Sequence, residues 1–243
     1  MIATRAPAWR GLDERLLAVL LAATFGTGLV DAVSYLGLHK VFTANMTGNV
    51  VFIGLGLAGH PEIPVVRSVL ALCGFLAGAG LVGRLQARTP SSTRVPRPTV
   101  VAFAVIPVVF AVLAAYFAVA EPGRTGLDVI TIVLGLAMGG QACAARRLGI
   151  PDISTVVVTM TMAALAAESR LAGGAGERSL VRVLAVVAML LGALAGASLL
   201  RIDLSLTLAV AAALSASVAI GVALVARSST PAPVPQTANE GSR

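Results

Sequence analysis

Charge is scarce in this sequence. Asp, Glu, Lys and Arg make up 12% of its 243 residues, about half the roughly 25% of a soluble globular domain, which excludes an ordinary water-facing protein. Cysteine is nearly absent: Cys73 and Cys143 stand alone in apolar runs, without C-x-x-C spacing. They read as small buried hydrophobes and not as a disulfide framework or a thiolate site. The two histidines, His39 and His60, fall at expected helix ends, so no zinc or haem site is expected, nor any other cofactor. Also missing are H-E-x-x-H, G-x-S-x-G, paired aspartates and a soluble nucleotide-binding domain. The expectation is therefore neither an enzyme nor, on this chain, an ATP-driven pump.

What the sequence has is apolar length. Residues 16–38 contain one charge, Asp31, and residues 98–120, 183–200 and 204–226 contain none. Each run is long enough, or nearly so, to cross about 30 Å of hydrocarbon as a helix. They recur from near residue 16 to residue 226, leaving no stretch of soluble-domain size, so the fold class is all-α and polytopic. The net charge of +7 comes from arginines in short connections between apolar runs. That is topology information and not a nucleic-acid footprint.

Periodicity and breakers predict eight helical segments, 15–38, 43–59, 65–87, 98–120, 127–147, 153–168, 180–200 and 203–227, forming one transmembrane domain over 15–227. A cytoplasmic segment, 1–14, precedes it, and a Pro-, Ser- and Thr-rich tail, 228–243, is expected to be disordered. The loop 88–98, with three prolines, reads as a linker between two halves. Setting Gly28-Leu29 against Gly135-Leu136 puts Ser34 against Gln141. After a gap, Thr43, Thr47 and Asn49 fall against Thr155, Thr159 and Thr161. In each half a glycine-bearing helix precedes a short polar helix and two apolar ones, so 15–120 and 127–227 are expected to be repeats.

Arginine placement discriminates between topologies. If all eight segments cross, basic residues divide 10 inside to 8 outside. If 43–59 and 153–168 enter and leave on one face, the division is 14 inside against four outside, Lys40, Arg67, Arg124 and Arg201. The positive-inside rule favours six spans with two short polar or re-entrant helices and both termini cytoplasmic. Three crossings per half also implies an inverted repeat, the plan of many secondary transporters.

Polar residues at membrane depth mark the candidate site. Asp31 is expected roughly 6 Å from mid-membrane, where burial alone costs about 2.5–3.5 kcal/mol. It shares a helix face with Gly28, Ala32 and Tyr35; the face either lines a polar cavity or locks helices together. On 43–59, Asn45 with Asn49 and Thr43 with Thr47 would form two adjacent polar stripes, facing a hydrated cavity or another helix. In the second half Thr155 and Thr159 share a face, and Gln141 lies on the helix carrying the Gly135/Gly139 packing step. Asp152, after Pro151, reads as an N-cap or as a solute ligand. Arg146 and Arg147 either anchor their helix at the interface or turn inward to pair with Asp152 or an anion.

At these residues a resemblance emerges. The stretch from Gly28 to Leu36, then Val41-Phe42-Thr43-Ala44-Asn45-Met46-Thr47-Gly48-Asn49, closely resembles the YoaK family of bacterial integral membrane proteins. The stretch from Gly135 to Gln141, Arg146-Arg147 and the residues from Asp152 to Thr161 are similar to it as well, over roughly 12–227 in all. Ala142 stands where the resemblance leads one to expect asparagine. The resemblance implies a six-span bacterial inner-membrane protein and supplies no substrate.

Two functions compete. One is a permease or facilitator for a small polar solute, with a midplane site from Asp31, Ser34, Tyr35, Asn45, Thr47, Asn49, Gln141, Thr155 and Thr159, and with Asp31 coupling a proton or cation. The other is a non-transport scaffold or assembly partner. The expected partners are the lipid bilayer and one small solute, with no nucleic acid; a homo-oligomer stays open. With the native cysteines removed, single cysteines at position 60 and within 170–178 should label from opposite sides of the membrane. Labelling of both from one side would support eight crossings.

Overall fold

A computed structural model describes residues 14–38, 40–90, 95–148, 158–168 and 179–228; the N-terminal segment, the C-terminal tail and Asp152 and Thr155 lie outside them. The described residues form eight helices: α1 (Glu14–Gly37), α2 (Met46–Leu57), α3 (Val65–Ala87), α4 (Arg97–Val119), α5 (Arg124–Arg147), α6 (Val158–Ala167), α7 (Ser179–Leu199) and α8 (Leu204–Ser228). Six are long and apolar enough to span a bilayer, and α2 and α6 are shorter apolar helices. Together with the absence of strands among the described residues, this is the all-α polytopic architecture. Two boundaries differ from expectation. The first short helix begins at Met46 and not at 43, and α5 begins at Arg124, three residues early, directly after Pro122-Gly123. In the second case the polar first turn, Arg124-Thr125-Gly126, hides the helix start from an apolar periodicity.

The helices pair as α1 with α7, α3 with α5, and α4 with α8, supported by α1 with α8, α4 with α5, α2 with α3 and α6 with α7. Exchanging the first four helices for the last four leaves this set of pairs unchanged. Glycines set the closest pairs. A methyl group at Gly74 would lie 2.6 Å from the Ile132 carbonyl, and Gly78 lies against that of Leu136. From the other side Gly135 and Gly139 meet the carbonyls of Ala71 and Phe75. In the equivalent pair Gly192 meets Phe25, Gly196 meets Leu29, and Gly28 meets Met189. Only glycine admits backbone at these distances, and in hydrocarbon such packing replaces the hydrophobic drive for association.

These contacts advance together along both helices, so α1 runs parallel to α7 and α3 parallel to α5. One core cluster joins the end of α1 to the starts of α3, α5 and α8 and the end of α4. Another joins the start of α1, Val95 and Phe103 to the ends of α5 and α8. Each long helix therefore runs opposite to its counterpart in the other half, a pattern consistent with inverted copies. Lys40, Arg67 and Arg124 share a cavity at one end. Gly37 touches Leu200 and Leu204, which flank Arg201, at that same end. The four basic residues expected on the sparsely charged side thus lie together.

Glycine packing makes a direct prediction. Gly78 abuts backbone whereas Gly80, on the same helix, has nothing within 4 Å. Gly78→Ala should lower stability in detergent by about 1–3 kcal/mol through overpacking. Gly80→Ala should be neutral or stabilise by up to about 1 kcal/mol, read as the shift in thermal or denaturant midpoint.

Candidate functional site at the membrane midplane

Beyond α1 the chain reverses. Lys40 adopts φ 62°, its N–H donates to the Tyr35 carbonyl at 2.8 Å, and Leu38 and Val41 bury their side chains. Residues 42–45 then fold back along α1 without helical hydrogen bonds of their own, and side chains supply the acceptors. The Phe42 N–H donates to Asn49 Oδ1 at 3.0 Å and that of Thr43 to Ser34 Oγ at 3.3 Å. Those of Ala44 and Asn45 both donate to Asp31 Oδ1, at 3.0 and 3.3 Å. Asn49 Nδ2 returns a bond to the Phe42 carbonyl at 2.6 Å, and Ser34 Oγ donates to the Asp31 carbonyl at 3.2 Å. Tyr35, Phe42 and Phe52 stack alongside, with centroids 5.1 to 6.3 Å apart.

Helix α2 starts at the depth of Asp31. Asn45 is its N-cap, accepting the Gly48 N–H at 3.4 Å. Its 12 residues span about 18 Å, too little to cross, and residues 58–64 lead into α3 at the Lys40 end. Thus α2 enters and leaves on one face. The two stripes expected on a helix from 43 do not exist, because Thr43 and Asn45 precede the helix and Asn49 turns back to Phe42. The Asp31 carboxylate accepts from the Ala44 and Asn45 N–H groups just ahead of the helix start.

Helix α6 approaches from the other end. It packs on α7, where Arg182 donates to the Ala164 carbonyl at 3.1 Å and to Glu168 Oε2 at 2.7 Å. Its first described residues, Val158 and Thr159, face the first turn of α2 and Met189 across a groove of about 400 Å³. Met189 is the eleventh of 21 residues in α7, so the groove sits near mid-height. Asn45, Thr47 and Thr159 are exposed there. The N-terminus of α2 and the first described residues of α6 therefore meet at one opening, where Asn45, Thr47 and Thr159 present amide and hydroxyl groups.

The structure brings Asp31, Ser34, Tyr35, Asn45 and Asn49 into one junction, and Thr47 with Thr159 into the adjoining groove. Asp31 does not line the groove; it is buried, and neither its Oδ2 nor Thr43 Oγ1 has a hydrogen-bond partner among the described residues. Gln141 lies elsewhere, in a small central cavity of about 10 Å³ with Val30, Phe110 and Ser215, room for about one water. Arg146 and Arg147 are exposed at the end of α5, where positive charge complements the helix dipole. Sequence reasoning missed Phe42 and Met189. The aromatic at Phe42, beside Tyr35, offered a signal; Met189 offered none within a uniformly apolar helix.

A family model described as "Protein of unknown function (DUF1275)" matches residues 19–221. The chain is 38% identical over 141 residues to the UPF0700 transmembrane protein YoaK of Bacillus subtilis (strain 168). That match covers 57% of this chain and 60% of the relative's length. No solved structure matches.

The junction predicts the cost of losing its carboxylate. Asp31→Ala leaves the buried Ala44 N–H and the part-buried Asn45 N–H without their acceptor and should lower stability by about 1–3 kcal/mol. Asp31→Asn, which keeps an acceptor oxygen, should lose less than half as much. Denaturant midpoints of the two variants in one detergent give the comparison.

Proposed function

From the premise that the chain belongs to the DUF1275 family and is a multi-pass membrane protein, we propose that it is a permease or facilitator for a small polar solute. The observation that carries this reading is the meeting of the first turn of α2 with the first described residues of α6, Val158 and Thr159, around a groove of about 400 Å³ at mid-height. Half-helices aimed at the midplane from opposite faces are costly in hydrocarbon unless their free donors face a polar occupant. The 12 residues of α2 amount to about 18 Å of helix axis, short of one bilayer core of about 30 Å, and α6 approaches from the other face. They act as a divided span with the groove at its break. The halves are inverted copies, the protein resides in the bacterial inner membrane with both termini cytoplasmic, and its work is solute passage and not bond chemistry.

In this reading Asp31 positions α2, and Thr47, Asn45 and Thr159 touch the solute. Coupling to a proton or cation through Asp31 is a further option, which Asp31→Asn tests: loss of pH-dependent flux with retained stability would support it. A non-transport scaffold is favoured by one observation, the burial of Asp31 and Asn49 against protein.

Purified protein in proteoliposomes should pass at least one of a panel of small neutral and charged solutes faster than protein-free vesicles do. Filling the groove with Thr47→Trp should lower that flux by tenfold or more without unfolding the protein, while Gly80→Ala leaves it unchanged. A panel with no flux above the lipid background overturns the permease in favour of the scaffold.

A further inference from the structure

A second cavity, of about 800 Å³, opens at the Lys40 end between the turn after α1 and the starts of α3 and α5. Five charged side chains line it: Lys40, Glu62, Arg67, Arg124 and Asp128. The two acids already have partners. Asp128 Oδ1 receives Arg67 Nε at 2.8 Å, and Glu62 Oε1 lies 3.4 Å from His60 Nδ1. The cations do not balance them. Lys40 and Arg124 are exposed and make no ion pair among the described residues, and Arg67, 12% exposed, engages its aspartate through Nε alone. The cavity therefore holds an excess of positive charge from three elements, with guanidinium donors left over. Both helices that begin here lack a side-chain cap, since their caps are Pro64 and Gly123, and the Val65 N–H is taken by the Ile63 carbonyl at 2.9 Å. The remaining wall is apolar, with Ile63, Val65, Val66 and Leu127.

We propose that this cavity binds a phosphate-bearing anion: either the phosphodiester head of an anionic lipid, whose chain would lie along the apolar wall, or inorganic phosphate from solution. The five charged groups sum to one positive charge, which an anion neutralises, and a tetrahedral phosphate accepts from several directions, as donors from separate elements require. Binding at this end is independent of whether the midplane groove conducts, so either conclusion can fail without the other.

The test is thermal unfolding of the full chain in an uncharged detergent, with two ligands. Sodium phosphate is compared with sodium chloride at equal ionic strength, and micelles doped with phosphatidylglycerol with micelles doped with phosphatidylcholine. The melting temperature of the wild type should rise with phosphate, with phosphatidylglycerol or with both, relative to their controls. A response to the lipid alone assigns a headgroup site, and a response to phosphate alone a soluble-anion site. Lys40→Gln combined with Arg124→Gln, both exposed positions, should raise the half-saturating concentration at least tenfold. Arg124→Gln alone serves if the pair fails to fold. Arg67→Lys, which keeps the charge and loses the planar fork, should weaken binding several-fold. No rise with either ligand beyond its control, or an undiminished rise in the charge-removed protein, overturns the proposal.

Discussion

An irregular backbone segment inside a membrane has no water to bond with, so every N–H it exposes must find an acceptor within the protein. The stretch from Phe42 to Asn45 meets that requirement with side chains alone: Asn49, Ser34 and, twice, Asp31. The position and length of α2, and the existence of a groove at its N-terminus, depend on these bonds. Without them the chain would have to continue as helix toward the opposite face, or retreat to the interface. The carboxylate is thereby explained in two ways at once, as a buried charge that has donors and as the element that fixes where the half-helix starts.

Around that junction the bundle is held by backbone contact. Gly74 and Gly78 on α3 occupy the places that Gly192 and Gly196 take on α7, and each pair grips the glycine-bearing helix of the other half. The two halves are thus interlocked, and no half forms its closest packing by itself. This arrangement leaves the exposed apolar side chains, such as Leu76, Val108, Leu190 and Ile220, for lipid.

The symmetry stops at the junction. In the register that sets Gly28 against Gly135, Met138 takes the place of Asp31, and Gln141 that of Ser34. Gln141 lines a central cavity and has no counterpart of the Ser34 bond to Thr43 among the described residues. The second half therefore lacks the carboxylate that fixes the first half-helix. Its short helix is held at its C-terminal end through Arg182 to Ala164 and Glu168.

The six long helices, the two short ones and the clustering of Lys40, Arg67, Arg124 and Arg201 on one side were legible in the sequence, because insertion into lipid is governed by run length and charge, which are local properties. So was the importance of Asp31, Ser34 and Asn49, since polar side chains at that depth must have partners. The identity of those partners was not legible. A periodicity treats 43–49 as continuous helix, whereas the fold-back of the chain onto α1 brings a carboxylate to the Ala44 and Asn45 N–H groups and moves the helix start to Met46. Nor could sequence tell that Thr47 and Thr159 face one groove while Gln141 faces another cavity. Which faces meet is decided by how closely glycine lets two backbones approach, and that distance is a property of the assembled bundle and not of any one segment.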